Sequence, residues 1–289
     1  MVAGSNLILD PRITRVFEQM NLVSTVAQSS GCKSFCSTAD GYVRQEAVVV
    51  VILSNKTKVQ AEGTRVCYAE VVGHKTVTGS GESVTSPNFK VQQDLYSSVA
   101  EMAAPRLSPD AVLQYVECHA SGTKVGDGKE VSVLADMVKS SKLPLFRRVK
   151  LPLHIGSVKS NIGHTEGACG LIALVKTILS LENGSVPGNL HFCKEISNPS
   201  CVGLKDGTLR VVTDPLPIDS EAVVIINSFG FGGTHVQVMI KGMPKGNPEI
   251  ATYSDLEEPW RNINPLFGRN EGLTRAVSEA VKAHSFSAV

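Results

Sequence analysis

Short apolar segments alternate with segments of helical periodicity along most of this chain, which limits the architectures it can adopt. Residues 46–53 (EAVVVVIL) form a continuous valine-rich run, which predicts a strand covered on both faces. Leu95, Val99 and Met102 follow the spacing of a helix face. Further strands are predicted at 65–72, 114–118, 154–158, 209–213, 222–227 and 235–240, and further helices at 130–138 and 170–181. This alternation is typical of a layered α/β fold.

The composition excludes several classes of protein. The chain has 289 residues, of which 42% are hydrophobic, enough for a buried core. Its 28 basic and 27 acidic residues nearly cancel, so no long-range field favours nucleic acid or an anionic membrane. The longest apolar run, 47–53, is far too short to cross a bilayer, and the N-terminus lacks a signal-peptide pattern. We therefore expect a cytoplasmic protein that binds neither nucleic acid nor membrane.

The seven cysteines are scattered without a paired framework, which favours reduced thiols over disulfides. Cys32 and Cys36 are separated by three residues. No second pair of cysteines or histidines at comparable spacing is evident to complete a zinc site with them. The sequence therefore predicts no metal.

Two histidines lie in turns rich in glycine and small residues. His119 stands in ECHASGTKVGDGKE, directly after a predicted strand. His164 stands in GSVKSNIGHTEGACG, between a strand and an apolar helix and five residues after Lys159. A single histidine of this kind more often caps a strand or begins a helix. Two such turns plus a lysine, all at strand ends, favour a functional site, because ligands collect at the carboxyl ends of strands in α/β sheets.

Together with the later run NSFGFGGTHV, these segments resemble the C-terminal half of a β-ketoacyl synthase, most closely the ketosynthase domain of an animal-type multifunctional fatty acid synthase. The resemblance implies a thiolase-like fold of layers αβαβα, of which this chain would hold the second half and the last elements of the first. Residues 1–241 would be a β-ketoacyl synthase domain that is incomplete at its N-terminus. Residues 242–289 would begin a linker toward an acyltransferase domain.

The resemblance also implies a reaction and its partners. Such enzymes hold an acyl group as a thioester on a cysteine and decarboxylate a malonyl thioester carried on the phosphopantetheine of acyl carrier protein. The resulting enolate then attacks the acyl group in fatty acid biosynthesis. No cofactor is bound covalently, and the intact parent is expected to be a homodimer.

Five acidic or basic residues take roles from this resemblance. His119 and His164 match the two histidines whose N–H groups stabilise negative charge on the thioester oxygen. Lys159 and Glu130 match an orienting lysine and an acidic residue, and a carboxylate beside the lysine would stabilise its charge. Asp127 is expected to support the loop.

Three further residues match positions near the substrate. Ser121 and Thr123 fall where the family has threonines that bind the pantetheine arm, a role that suits hydroxyls because they donate and accept. Turn formation is the alternative role for both. Phe231, in the GFGG run, matches a gating residue whose backbone N–H could join an oxyanion hole. We interpret His235, just beyond that run, as structural.

The chain departs from the family at several positions, including Cys36, which stands where relatives have an aspartate. It reads ECHASGT where relatives read EAHGTGT, so Ala120 replaces a glycine and would be strained if that position needs a positive φ angle. The nucleophile turn DTACSSS is absent from the sequence. Cys118 lies beside His119 on a strand, where neighbouring side chains point to opposite faces, so it is a poor replacement. Cys169 begins the apolar helix, where the family has a small residue for packing.

Three functions therefore stay open. The first is the ketosynthase of a fatty acid synthase. The second is a catalytically dead paralogue that binds acyl carrier protein or an intact synthase. The third is the ketosynthase of a polyketide synthase, because the condensing motifs are shared.

Overall fold

The structure is a computed structural model that describes residues 1–24, 31–62, 67–79, 88–192 and 194–244. The strands in these ranges are β1 (Val2–Asn6), β2 (Ala47–Val51), β3 (Ala69–Thr78), β4 (Leu113–Glu117), β5 (Leu153–Gly156), β6 (Ser185–Val186), β7 (Leu209–Val211), β8 (Leu216–Pro217), β9 (Val223–Phe229) and β10 (Thr234–Gly242). The helices are α1 (Pro11–Gln19), α2 (Lys56–Glu62), α3 (Phe89–Ala103), α4 (Lys124–Ser140), α5 (Pro144–Arg147), α6 (Lys159–Ile162), α7 (Cys169–Asn183) and α8 (Val202–Lys205).

Six strands form one mixed sheet in the order β3-β10-β9-β4-β5-β7. The neighbours β9, β4, β5 and β7 run parallel, whereas β10 pairs antiparallel with β9 and β3. Because β4 and β5 are adjacent and parallel, the segments that follow them leave the same edge of the sheet. Those segments carry His119 and Lys159, so the topology alone brings these two residues close together.

Both faces of the sheet are covered, as the alternation of β9 shows. Val223 and Ile225 belong to a core that includes side chains of α3 and α4, whereas Val224 and Ile226 belong to a second core that includes side chains of α7. Since successive residues of a strand point to opposite faces, α3 and α4 lie on one side of the sheet and α7 on the other. The predicted layered α/β class is confirmed.

The run 46–53 forms the predicted strand, but the prediction that both faces are covered is wrong. Among the described strands β2 pairs only with β1, in an antiparallel two-stranded ribbon outside the main sheet. Val49 is buried, whereas Val48 is 70% exposed and Val50 is 55% exposed. A strand in a two-stranded ribbon can pack only one face against the rest of the protein, and its other face stays exposed to solvent. The other predicted strands and helices are present with shifted ends, and the strand predicted at 65–72 is β3.

A buried ion pair joins β4 to α7 directly below the edge of the sheet. Lys176 Nζ donates to Glu117 Oε2 at 2.5 Å and to the Tyr115 hydroxyl at 2.7 Å. That hydroxyl donates to the same carboxylate oxygen at 2.8 Å, and the other oxygen accepts the backbone N–H of Val158 at 2.6 Å. Both oxygens of a fully buried carboxylate are thus hydrogen-bonded, so its burial is compensated.

Removing the lysine alone should strongly destabilise the fold. We expect Lys176→Met to lower the free energy of unfolding by about 3–5 kcal/mol, because it leaves Glu117 charged and buried without a counter-ion. The double variant Glu117→Gln/Lys176→Met should lose less than Lys176→Met alone. Urea denaturation followed by circular dichroism measures both. Lys139→Met, which breaks the solvent-exposed pair with Asp206, is the control and should cost about 1 kcal/mol or less. Equal losses in the single and double variants would contradict the electrostatic explanation.

Candidate active site

The two histidine turns meet at a pocket of about 400 Å³. It lies beside the carboxyl ends of β4 and β9, where parallel strands of a sheet commonly bind ligands. Six of the seven residues predicted for the site line it: His119, Ser121, Thr123, Glu130, His164 and Phe231. The seventh, Lys159, is 1% exposed and is not part of the lining.

Glu130 fixes the backbone that carries His119. Its carboxylate, on α4, accepts the backbone N–H groups of His119 at 2.8 Å and Ala120 at 2.9 Å. The side-chain amide of Asn227 on β9 donates to the same carboxylate at 2.8 Å. Burial raises the pKa of Glu130, and these hydrogen bonds oppose the rise. Within the described ranges the hydrogen bonds of Glu130 go to the backbone and to Asn227, whereas Lys159 affects it through its charge.

Lys159 begins α6 and acts on the site through its charge. No described residue accepts a hydrogen bond from its Nζ, which is buried. After burial, its charge is the next cause that lowers the pKa of both His119 and His164. It also opposes the rise in the pKa of Glu130. Since a cation is unfavourable beside a protonated imidazole, Lys159 helps to keep the histidines neutral.

The two imidazoles are neutral and close together. Their ring centroids are 5.1 Å apart and their planes are inclined at 78°. Burial lowers the pKa of His119 well below its ordinary value and that of His164 to about 3. The Nδ1 atom of His164 accepts the backbone N–H of Glu166 at 2.9 Å, which assigns the ring proton to Nε2. His164 is therefore a hydrogen-bond donor through Nε2.

The turn after His119 presents two hydroxyls to the pocket without straining Ala120. Ser121 Oγ and Thr123 Oγ1 are 3.4 Å apart. The positive φ angle of this turn, +81°, belongs to Gly122, and Ala120 has no positive φ. The expected strain at Ala120 is therefore absent, because the residue that needs left-handed backbone is still a glycine.

Asp127 ties this turn to a distant part of the chain. Its carboxylate accepts the backbone N–H of Phe35 at 2.8 Å and that of Thr123 at 3.4 Å. Burial raises its pKa to about 7, against the effect of these hydrogen bonds. The contacts match the loop-supporting role expected for Asp127.

Phe231 lies on the loop between β9 and β10 and is 57% exposed. The next two residues, Gly232 and Gly233, have φ angles of +99° and +92°, which residues with a side chain rarely adopt. The ring of Phe231 meets that of Phe17 edge-on, with centroids 6.3 Å apart. An aromatic side chain on a glycine-rich loop at the rim of the pocket is suited to control entry.

Cys169 is the residue whose surroundings differ most from the expectation. Its thiol lines the pocket, and its Sγ, one ring nitrogen of His119 and one ring nitrogen of His164 lie within 4.8 Å of one another. Two imidazoles and a thiol are a ligand set that zinc accepts. However, a metal bound at Nε2 of His164 would displace the proton that the Glu166 contact assigns to that atom. The tautomer therefore does not fit a metal at this cluster.

The sequence did not reveal the residues packed around His164. The Tyr42 ring lies 4.9 Å from the imidazole, measured between centroids. Arg44 forms an ion pair with Glu166 at 2.7 Å, although the two residues are 122 positions apart. No local pattern connects such distant residues. His235, interpreted as structural, is 2% exposed and lies against Phe229 at the edge of the pocket.

None of the described helices has the length and apolar character required to cross a membrane.

Three sequence models of one family match consecutive parts of the chain. They are the β-ketoacyl synthase N-terminal domain over 1–58, the β-ketoacyl synthase C-terminal domain over 68–193, and the ketoacyl-synthetase C-terminal extension over 197–288. A phenolphthiocerol/phthiocerol polyketide synthase of Mycobacterium bovis is 35% identical over 98% of this chain. A highly reducing polyketide synthase of Aspergillus fumigatus is 30% identical over 90% of it. The chain spans only 14% and 10% of these two relatives.

Solved structures of ketosynthases share the fold. The oxazolomycin ketosynthase domain of Streptomyces albus JA3453 superposes with a TM-score of 0.72 at 29% identity. The ketosynthase from module 6 of the bacillaene synthase of Bacillus subtilis 168 gives 0.73 at 25% identity. They cover 86% and 93% of this chain, which in turn spans 42% and 47% of theirs. The fold is thiolase-like, as expected, and the chain belongs to the β-ketoacyl synthase family.

Proposed function

We propose that this chain carries the decarboxylating site of a ketosynthase, which acts on a malonyl thioester held on the phosphopantetheine of acyl carrier protein. The observation that carries the proposal is the pair of neutral imidazoles, His119 and His164, with ring centroids 5.1 Å apart in one pocket. Membership of the β-ketoacyl synthase family supports the same reaction. The intact enzyme would work as a cytoplasmic homodimer.

The chemistry follows from where charge develops. When the malonyl carboxylate leaves as carbon dioxide, the electron pair of the broken C–C bond moves into the thioester, and its oxygen becomes negative. The Nε2–H of His164 is a donor for that oxygen, and neutral His119 can supply a second. Donors fixed before the reaction stabilise such a charge without having to reorganise. The enolate carbon then attacks the acyl carbonyl of a cysteine thioester, and the C–S bond breaks with release of the cysteine thiolate.

The remaining site residues would hold and admit the substrate. Ser121 and Thr123 would hydrogen-bond the amide-rich pantetheine arm, and Phe231 would gate the acyl pocket. Glu130 and Lys159 would position the histidines and keep them neutral. We assign no residue of this sequence as the acyl-bearing cysteine.

We propose fatty acid synthesis as the first candidate for the parent pathway, because the segments around His119, His164 and Phe231 most closely resemble an animal-type fatty acid synthase. The condensing motifs themselves are shared with polyketide synthases. The second candidate is polyketide synthesis, favoured by relatives named as polyketide synthases at 35% and 30% identity. The two differ in product rather than in the condensing step. Mass spectrometry of the product made by the full parent polypeptide distinguishes a fully reduced chain from one that keeps keto or hydroxyl groups.

Replacing either histidine should abolish decarboxylation. We expect His119→Ala and His164→Ala to slow the release of carbon dioxide from malonyl-pantetheine by about 10²–10³, because each removes one donor to the developing oxyanion. Conversion to acetyl-pantetheine is measured by mass spectrometry. His74→Ala, at an exposed position on β3, is the control and should leave the rate unchanged. Retained activity in either variant would remove its assignment. A wild-type chain that binds malonylated carrier protein without decarboxylating it would support the binding-module function.

The decarboxylation rate should not titrate with an ordinary histidine. Because the pKa of His164 in the folded protein is lowered to about 3, the imidazole stays neutral from pH 5.5 to 8, and no fall in the decarboxylation rate with a midpoint near 6.5 is expected.

The stability of the fold should depend on pH in a different way. The unfolded histidine binds a proton near pH 6.5 and the folded one near 3, so stability decreases as pH falls through that window. A rate profile from pH 5.5 to 8 and urea midpoints at each pH test both.

The buried carboxyl of Asp127 provides the control for this profile, since its pKa of about 7 lies inside the assayed range. A change in rate near pH 7 that disappears in Asp127→Asn belongs to Asp127. A midpoint near 6.5 that persists in this variant would contradict the neutral-histidine site.

Truncating Phe231 should change the acyl chains that are accepted. We expect Phe231→Ala to bind long-chain acyl-pantetheine thioesters more tightly relative to short ones, because the exposed ring no longer restricts the rim. Isothermal titration with a series of chain lengths measures the profile. Phe89→Ala, at the partly exposed first residue of α3, is the control. An unchanged profile would count against gating.

A further inference from the structure

The tautomer of His164 depends on one backbone contact. Its Nδ1 accepts the N–H of Glu166 at 2.9 Å, which leaves the ring proton on Nε2. The backbone of His164 is held separately, because its N–H donates to Val43 O at 2.7 Å and its carbonyl accepts from Gln45 N at 3.0 Å. The position of the histidine is therefore fixed by strand-like pairing, whereas its protonated nitrogen is chosen by Glu166.

Glu166 makes this contact from an unfavourable conformation. Its φ angle is +40°, in the left-handed region, although it has a side chain. Relative to glycine, a residue with a β-carbon populates this region roughly tenfold less. Such a conformation persists only when neighbouring contacts enforce it.

Arg44 supplies those contacts. Its guanidinium donates from Nε to Glu166 Oε1 at 2.7 Å and from Nη2 to Oε2 at 2.9 Å, which is a two-pronged pair. The remaining guanidinium nitrogen, Nη1, donates to Thr14 Oγ1 at 2.7 Å. The guanidinium carbon Cζ lies 5.2 Å from the centroid of the Phe17 ring. The Arg44 side chain is 9% exposed. Because all three nitrogens of the planar guanidinium are hydrogen-bonded, Arg44 can fix the Glu166 side chain in one orientation.

We propose that Arg44 is a positioning residue that, through the strained backbone of Glu166, sets the Nε2–H tautomer of His164. The arginine itself touches no reacting atom. The consequence for catalysis rests on the function proposed above, but the effect on the tautomer does not.

The test compares two variants that both lack the glutamate side chain. Glu166→Ala removes the pair with Arg44 and keeps the unfavourable φ, whereas Glu166→Gly removes the pair and relieves the φ. We expect Glu166→Ala and Arg44→Lys to raise the Nδ1–H form of His164 and to slow malonyl-pantetheine decarboxylation at least roughly tenfold. Glu166→Gly should retain the tautomer and most of the rate. Arg12→Lys, at the exposed pair with Asp10, is the matched control.

The tautomer is read from the ¹⁵N shifts of the His164 ring in the full 289-residue chain, assigned with His164→Gln, and folding is checked by thermal melting. The proposal is overturned if Glu166→Ala and Glu166→Gly behave alike, because the carboxylate charge alone would then matter. An unchanged tautomer in folded Arg44→Lys also overturns it. If the wild-type chain decarboxylates nothing, the proposed function fails, yet the tautomer comparison still decides this inference.

Discussion

The geometry of the site depends on a charge pair that never meets the substrate. Glu117 ends β4 two residues before His119, and one of its oxygens holds the backbone of Val158, directly before Lys159. Lys176, its counter-ion, lies on α7, the helix that begins after His164. A single buried carboxylate thus joins the three segments that supply the chemistry. Since a buried charge requires its partner in a defined place, these segments cannot shift independently.

Other buried carboxylates in the site follow the same rule. Glu130 holds the backbone at His119, and Asp127 holds the backbone at Phe35. In each case the carboxylate satisfies N–H groups of irregular backbone that would otherwise be buried without partners. The acidic residues Glu130 and Asp127 therefore act on the chain, and the side chains left to contact a ligand include imidazoles, hydroxyls and the Cys169 thiol. That division suits a site in which negative charge must develop on the substrate.

The accuracy of the predictions from sequence depended on how far apart along the chain the interacting residues are. The strand and helix alternation gave the layered class, and the motifs gave the family and a set of residues of which six line one pocket. The local pattern could not show that β2 lies outside the main sheet. A continuous apolar run is compatible both with a strand buried on two faces and with a strand of a two-stranded ribbon. Nor could it show that Glu130 holds backbone, or that Arg44 reaches Glu166 across 122 residues. These are consequences of tertiary contact.

The ribbon of β1 and β2 also affects how the protein responds to temperature. Val48, Val50 and Ile52 are 70%, 55% and 72% exposed, so their apolar surface is hydrated while the chain is folded. Only surface that becomes hydrated on unfolding contributes to the heat-capacity change, and apolar surface contributes most of it. This chain should therefore have a smaller heat capacity of unfolding than its hydrophobic content implies.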